Sequence, residues 1–299
     1  MRIAFLACPE TMPGSDGARR GDAYEHDLMV AALRPAIEAR GGTFAEIEWR
    51  APVADFAAFD LTLLGTAWDY QDHAAEFLAK LEAIEAGGTI VCNPPDLVRW
   101  NTDKRYLREL ENAGTRTIPT VWHDNPDRVD IESAFANFGC EKLVVKRQIG
   151  AGGVGQHIFD ASDLPDADWR MGHAAMLQPF LPAIQQEGEL SFVFIDGAFS
   201  HAIRKTAAKG EYRIQSLYGG SEETYEPSTS DIAAARSVLS AMPGDIPLYA
   251  RVDMLRADDG GLLLMEAEAI EPYLYPEQGP KLGEKVATAI ERRLSLSCA

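Results

Sequence analysis

Over the first third of the chain, short apolar runs are separated by longer amphipathic stretches. Residues 2–7, Arg-Ile-Ala-Phe-Leu-Ala, form an apolar run of the length of a buried parallel strand. A loop rich in Gly, Pro and Ser follows. Asp22 is then placed to cap a helix that runs to Arg40 and stops at Gly41-Gly42. Residues 44–49, 61–64 and 89–92 repeat the short apolar pattern, and residues 76–86 read as a helix closed by Gly87-Gly88. Strands alternating with helices predict a small parallel sheet covered by helices. Open α/β sheets bind ligands beyond the carboxyl ends of their strands. The loop Gly65-Thr66-Ala67-Trp68-Asp69-Tyr70 is therefore a candidate pocket edge, although its aromatic residues could equally be packing groups.

The pattern changes after Asn93-Pro94-Pro95, where two prolines mark a boundary. Residues 102–112 predict a helix with Lys104 in its first turn, a position where the helix dipole favours acids. Residues 143–146 and 156–160 are short strands. Residues 176–182 form a strand ending in a proline-framed linker, whose backbone can face a planar ligand edge. Residues 188–195 and 198–204 make a hairpin about Asp196-Gly197. The polar stretch 206–230, which includes Arg213, has the length of a lid, and residues 231–242 and 281–294 are helical. Successive hairpins predict an antiparallel sheet, unlike the first third.

The most informative hairpin spans residues 248–268, two apolar runs about Asp258-Asp259-Gly260-Gly261. A turn centred between Asp259 and Gly260 sets Asp253 opposite Glu266 and Arg251 opposite Glu268. Val252 and Met254 then share the core face with Met265 and Ala267. Like charges directly opposite one another destabilise a sheet. Either a divalent cation sits between Asp253 and Glu266, or water screens a solvated face.

Composition narrows the setting. A chain of 299 residues is long enough for about two domains, with ordinary apolar and charged fractions. The formal net charge of -18 opposes binding to nucleic acid or anionic lipid. No apolar run approaches the ~18 residues of a membrane span, and the start lacks a signal-like pattern, so the cytoplasm is the expected compartment. Cys8, Cys92, Cys140 and Cys298 are scattered, without metal or thiol-exchange spacing.

One loop adds chemistry. Residues 148–155 read Gln-Ile-Gly-Ala-Gly-Gly-Val-Gly, just after Lys146 on an apolar strand. The G-x-G-x-x-G spacing is present, but a strand follows where a dinucleotide site needs a helix, and no Lys-Ser/Thr pair completes a Walker loop. The loop is thus a hairpin tip able to close over phosphates with a strand lysine beside it, or a mobile glycine turn without a ligand.

Taken in order, several segments resemble the ATP-grasp superfamily over nearly the whole chain. They are Asn101-Thr102-Asp103-Lys104, Lys146 with its glycine loop, Gln178-Pro179-Phe180-Leu181, Glu189, Arg251-Val252-Asp253 and Met265-Glu266-Ala267-Glu268. The resemblance implies an α/β and α+β protein: an ATP-grasp fold behind an N-terminal parallel α/β domain. The N-terminal domain would span residues 1–95, a central subdomain with the glycine loop 96–185, and a C-terminal subdomain with the metal site 186–299. It further implies that Lys104 and Lys146 contact ATP phosphates and that Gly150, Ala151, Gly152, Gly153, Val154 and Gly155 fold over them. Gln178, with the backbone of Phe180 and Leu181, would meet adenine, and Glu189 the ribose. Asp253, Glu266 and Glu268 would hold Mg²⁺, with Mn²⁺ as a substitute; many relatives carry asparagine at the position of Glu268. Arg251 and Arg204 would steady the phosphoryl group and its acceptor, and Thr66, Trp68, Asp69, Tyr70, Arg213 and Glu271 are candidate substrate contacts.

The implied activity is ATP-dependent ligation of a small amino-acid substrate. The γ-phosphoryl group turns a carboxylate into an acylphosphate, which nitrogen then attacks. Whole-chain similarity within the superfamily implies cyclisation of O-ureido-D-serine to D-cycloserine with release of CO₂ and NH₃, as in antibiotic biosynthesis. Intermolecular amide ligation is the alternative, and a nucleotide-binding regulatory protein is a reading of another class. A homodimer is compatible with such a fold, and neither nucleic acid nor membrane is an expected partner.

Overall fold

The computed structural model describes residues 1–14, 17–150, 152–208 and 219–297. Its first unit runs β1 (Arg2–Ala7), α1 (Ala23–Glu38), β2 (Thr43–Glu48), α2 (Val53–Phe56), β3 (Leu61–Thr66), α3 (Ala74–Ala86) and β4 (Ile90–Cys92). The four strands are parallel in the order β2-β1-β3-β4. From Ile3 onward β1 is buried on both faces, as its unbroken apolar run requires. Trp49, Phe56 and Phe77 fill one side, and Met29, Leu33 and Ile37 of α1 the other.

The prolines at 94 and 95 begin a helix: Pro95 occupies the first position of α4 (Pro95–Thr102), where its missing N–H costs nothing. The single helix expected over 102–112 is instead α4 followed by α5 (Tyr106–Asn112), and Lys104 lies in the break between them. Asp103 is responsible. It is extended (φ -100°, ψ 119°), and its carboxylate accepts the Arg105 backbone N–H at 2.9 Å and pairs with the Arg105 guanidinium.

A second sheet contains β5 (Val121–His123), β6 (Lys142–Arg147), β7 (His157–Asp160) and β8 (Ala175–Pro179), antiparallel in the order β5-β8-β6-β7. It is backed by α6 (Arg128–Phe138), whose Ile131, Ala134 and Phe135 pack on Leu143, Val145 and Leu177. After α7 (Ala183–Gln186) the third sheet forms from β9 (Glu189–Ile195), β10 (Ala198–Thr206), β11 (Ser221–Tyr225), β12 (Tyr249–Arg256) and β13 (Leu262–Glu268). Its order is β11-β10-β9-β12-β13, antiparallel throughout, with α8 (Thr229–Ala241) packed against it. The polar stretch expected as a lid therefore includes a strand, β11, and the start of α8. Its Arg213 lies outside the described residues.

The last helix, α9 (Leu282–Ser297), returns to the first unit. Val286 and Ile290 share a core with Ile3 and Leu33 of the parallel sheet unit and with Val193 and Ile203 of the five-stranded sheet. Gly283 permits this contact, since a Cβ there would lie 2.0 Å from the Ala32 carbonyl oxygen of α1. Among the described residues no helix is long and apolar enough to cross a membrane.

Candidate active site

The β12–β13 hairpin pairs Arg251 with Glu268, Val252 with Ala267 and Asp253 with Glu266, as the sequence predicts. Nearer the tip the register differs: Met254 faces Leu264, not Met265. The loop contains three residues, closed by the Ala257 N–H on the Gly261 carbonyl at 2.8 Å, with Gly260 left-handed at φ 81°. A bulge between Asp253 and Met254 makes up the one-residue offset. Met265, expected in the core, is displaced to the pocket wall, and the fully buried Leu264 takes its place.

The opposed acids are tolerated because cations surround them. The Arg251 guanidinium donates to both Asp253 oxygens at 3.0 and 3.1 Å, to Glu268, and to the Tyr273 carbonyl at 3.0 Å. Ser191 also donates to Asp253. Lys205 pairs with Glu189 and lies 3.7 Å from Asp253. Across the strand, Lys104 Nζ is 2.8 Å from Glu266 and donates to the Gly150 carbonyl.

These contacts set the protonation states. Burial opposes ionisation of Asp253, but Arg251 and Lys205 outweigh it and hold the carboxyl at about 2. For Glu268, burial wins over Arg251, with Asp253 and Glu266 adding repulsion, and its pKa rises to about 8. Burial would lower the Lys205 ammonium, but Asp253 and Glu189 more than offset this and raise it.

Arg204, expected beside the phosphoryl group, does not line the pocket. It faces the other way and pairs with Glu223 at 2.6 Å. Counting back from the Asp196-Gly197 turn places Arg204 opposite Glu189, but a bulge between Phe199 and His201 adds one residue and puts Lys205 there instead. A one-residue shift exchanges the faces of a strand. Replacing Arg204 with Ala is accordingly expected to change turnover less than about twofold, within the range of exposed ion pairs. A larger loss in steady-state ADP release would return Arg204 to the site.

Lys146 stands apart from the other cations. It lines the same pocket below the glycine loop, without an ion-pair partner among the described residues, and burial lowers its pKa. Gly152, Gly153 and Gly155 have φ of 63°, 71° and 68°, a conformation that glycine adopts without strain. Gly150, Gly152, Gly153 and Val154 line the pocket, and Ala151 lies outside the described residues. Gln178 is fixed by a 2.9 Å bond to the Thr120 hydroxyl. The Phe180 N–H is taken by the Lys142 carbonyl at 2.9 Å, and Leu181 lines the pocket beside it.

The pocket, of about 300 Å³, extends from this linker past Glu189 and Arg251 to Trp68, Tyr70 and Glu271. The Trp68 indole N–H donates to the Glu271 carbonyl at 3.0 Å. Thr66 and Asp69 do not line it. Thr66 bonds His26 Nδ1 at 2.6 Å, and Asp69 accepts from the Trp49 indole at 2.7 Å and from Arg50. Arg20, by contrast, does line the pocket, with its guanidinium 5.1 Å from the centre of the Trp68 ring. It follows the carboxyl end of β1, the same kind of position that singled out residues 65–70.

Oxygen donors of the kind Mg²⁺ takes are therefore present at Asp253, Glu266 and Glu268. Among the described residues they do not converge into a group that could hold a metal, and each is engaged by Arg251 or Lys104.

Comparison with known structures defines the class. The crystal structure of D-cycloserine synthetase DcsG matches 98% of this chain and 100% of its own, with a TM-score of 0.82 at 24% identity. That of the ATP-grasp ligase PsnB, complexed with a phosphomimetic variant of its minimal precursor, Mg and ADP, matches 98% of each chain with a TM-score of 0.66 at 17% identity. With its two antiparallel sheets closing on one pocket behind a parallel sheet, the chain has the ATP-grasp fold. The family described as D-cycloserine synthetase DcsG, N-terminal domain, matches residues 3–93. The cycloserine biosynthesis protein DcsG of Streptomyces lavendulae is 30% identical over 286 residues, covering 90% of this chain and 94% of that protein. The chain belongs to the DcsG family.

Proposed function

We propose that this enzyme activates the carboxylate of a small amino acid with ATP and closes a ring on it, converting O-ureido-D-serine to D-cycloserine. One observation carries the reading: a single pocket joins the glycine loop and the buried Lys146 to Arg251, Trp68 and Glu271. Nucleotide phosphates and a small carboxylate can thus meet in one enclosure, and family membership favours this substrate. The substrate carboxylate oxygen attacks the γ-phosphorus and ADP leaves. The ureido nitrogen next to oxygen then attacks the acyl carbon and phosphate departs, while hydrolysis of the carbamoyl group releases CO₂ and NH₃. An intramolecular nucleophile needs no second amine subsite, because effective molarity replaces tight binding.

The residues divide this work by position. Lys146 and, once released from Glu266, Lys104 take phosphate oxygens. Arg251 steadies the carboxylate and the transferred phosphoryl group, and Lys205 stands where sequence reasoning had placed Arg204. Gln178 and the linker at Phe180 and Leu181 receive the adenine, with Glu189 toward the ribose. Trp68, Tyr70, Arg20 and Glu271 bound the amino-acid end. Asp253, Glu266 and Glu268 would hold Mg²⁺ once they part from Arg251 and Lys104 and draw together, and the ion neutralises phosphate charge when bound. The glycine loop closes over the phosphates and keeps water from the acylphosphate.

The test is incubation of the purified enzyme with ATP, Mg²⁺ and O-ureido-D-serine alone. ADP and cycloserine are expected in equal amounts. Turnover only when two amino acids are supplied together would replace cyclisation with intermolecular ligation, and no turnover on either would defeat the proposal.

A further inference from the structure

β13 is an edge strand, yet it carries Glu266 and Glu268 into the pocket. An unpaired edge cannot fix two side chains by strand pairing on that side. Toward the tip a backbone bridge does so: the Leu264 N–H donates to the Arg116 carbonyl at 2.8 Å, and its carbonyl accepts the Ile118 N–H at 3.2 Å. At the pocket end no strand is present among the described residues, and side chains substitute for one. The buried Asn101 donates from Nδ2 to the Ala267 carbonyl at 2.8 Å and accepts the Ala269 N–H on Oδ1 at 2.8 Å. Its amide thus grips the backbone immediately before and after Glu268. The Tyr106 hydroxyl accepts the Ala267 N–H at 2.9 Å.

The same short segment also reaches the glycine loop. Three residues beyond Asn101, the Lys104 N–H donates to the Gln148 carbonyl at 3.0 Å, and Nζ contacts both the Gly150 carbonyl and Glu266. The break between α4 and α5 is what allows Asn101 to face β13 while Lys104 faces the loop.

From this geometry we infer that Asn101 is a positioning residue for phosphoryl transfer, holding Glu268, and through it Arg251, in place by imitating a sixth strand. The role in catalysis rests on the proposed ligase function; the grip on β13 does not. Asn101→Ala removes both bonds. Asn101→Asp keeps an acceptor for the Ala269 N–H but loses the donor to the Ala267 carbonyl and adds a charge.

The experiment has two arms. In the first, amide hydrogen exchange compares wild type with Asn101→Ala in the absence of substrate. Faster exchange is expected within residues 266–270, with residues 190–195 of β9, two strands away, unchanged. Unchanged exchange at 266–270, or loss of protection throughout, overturns the inference whether or not the protein is a ligase. In the second, ADP release is measured for Asn101→Ala, Glu268→Gln and the double variant. Asn101→Ala should lower kcat about 10- to 100-fold with ADP affinity within threefold, and the double variant should be no slower than Glu268→Gln alone. Asn101→Asp should fall between wild type and Asn101→Ala. Additive losses, or equal losses in affinity and turnover, would mark Asn101 as a general structural residue. A wild type without ligase activity defeats the functional proposal but leaves the first arm decisive for the grip.

Discussion

Replacing Arg251 with Met is expected to lower turnover by roughly 10³-fold or more and to destabilise the fold by about 3–5 kcal/mol. The two effects have one origin. Arg251 is buried and is the main cation for Asp253 and Glu268, so removing it leaves the Asp253 carboxylate in a low-dielectric site without its strongest partner and drives Glu268 further toward its neutral form. Lys205, at 3.7 Å from Asp253, offsets this loss only in part and acts on Glu268 more weakly. Thermal unfolding followed by circular dichroism measures the first consequence and ADP release the second. A variant that melts with the wild type would show that the carboxylates find other partners, and the electrostatic account of this strand pair would be wrong.

Lys146→Met should act in the opposite sense on the fold. Among the described residues no carboxylate pairs with this lysine, and burial outweighs the attraction of Glu266 and Glu189 and works against its charge. Removing it therefore strands no partner, and stability is expected to stay within about 0.5 kcal/mol of wild type or to rise. Nucleotide affinity should nevertheless fall by about 1.5–3 kcal/mol, roughly 10- to 150-fold, the range for one hydrogen bond to a charged group. Calorimetric titration with Mg-ADP separates these outcomes. Lost stability with unchanged affinity would make Lys146 a structural cation.

How far the site could be read in advance depended on what fixes each residue. The facing pairs Arg251–Glu268 and Asp253–Glu266 were legible because a hairpin folds on local sequence alone. Even there, a turn one residue longer than expected was offset by a bulge, so the predicted register held beside the site and failed at Met254 and Met265. The parallel sheet was legible from unbroken apolar runs. The break at Lys104 was not, since it depends on one aspartate exchanging a helical turn for a side-chain bond. β5 and α6 carried weak patterns in the sequence: β5 has three half-buried residues, and α6 shows the core only Ile131, Ala134 and Phe135. Thr66 and Asp69 occupy the right loop, but their partners His26, Trp49 and Arg50 come from distant segments that no local pattern links to them.

The bulge in β10 has a consequence for how this site can change over generations. Ser200, the extra residue, is held by Lys285 of α9, whose ammonium donates to its carbonyl at 3.0 Å and its hydroxyl at 3.1 Å. Strand length, more than strand composition, thus selects which of two adjacent cations meets Glu189. A single-codon insertion beyond the bulge, with the bulge kept, would bring Arg204 opposite Glu189 in place of Lys205 without altering either residue. The identity of a pocket-facing cation is in this sense a reading-frame property of the strand, anchored by a helix none of whose described residues lines the pocket.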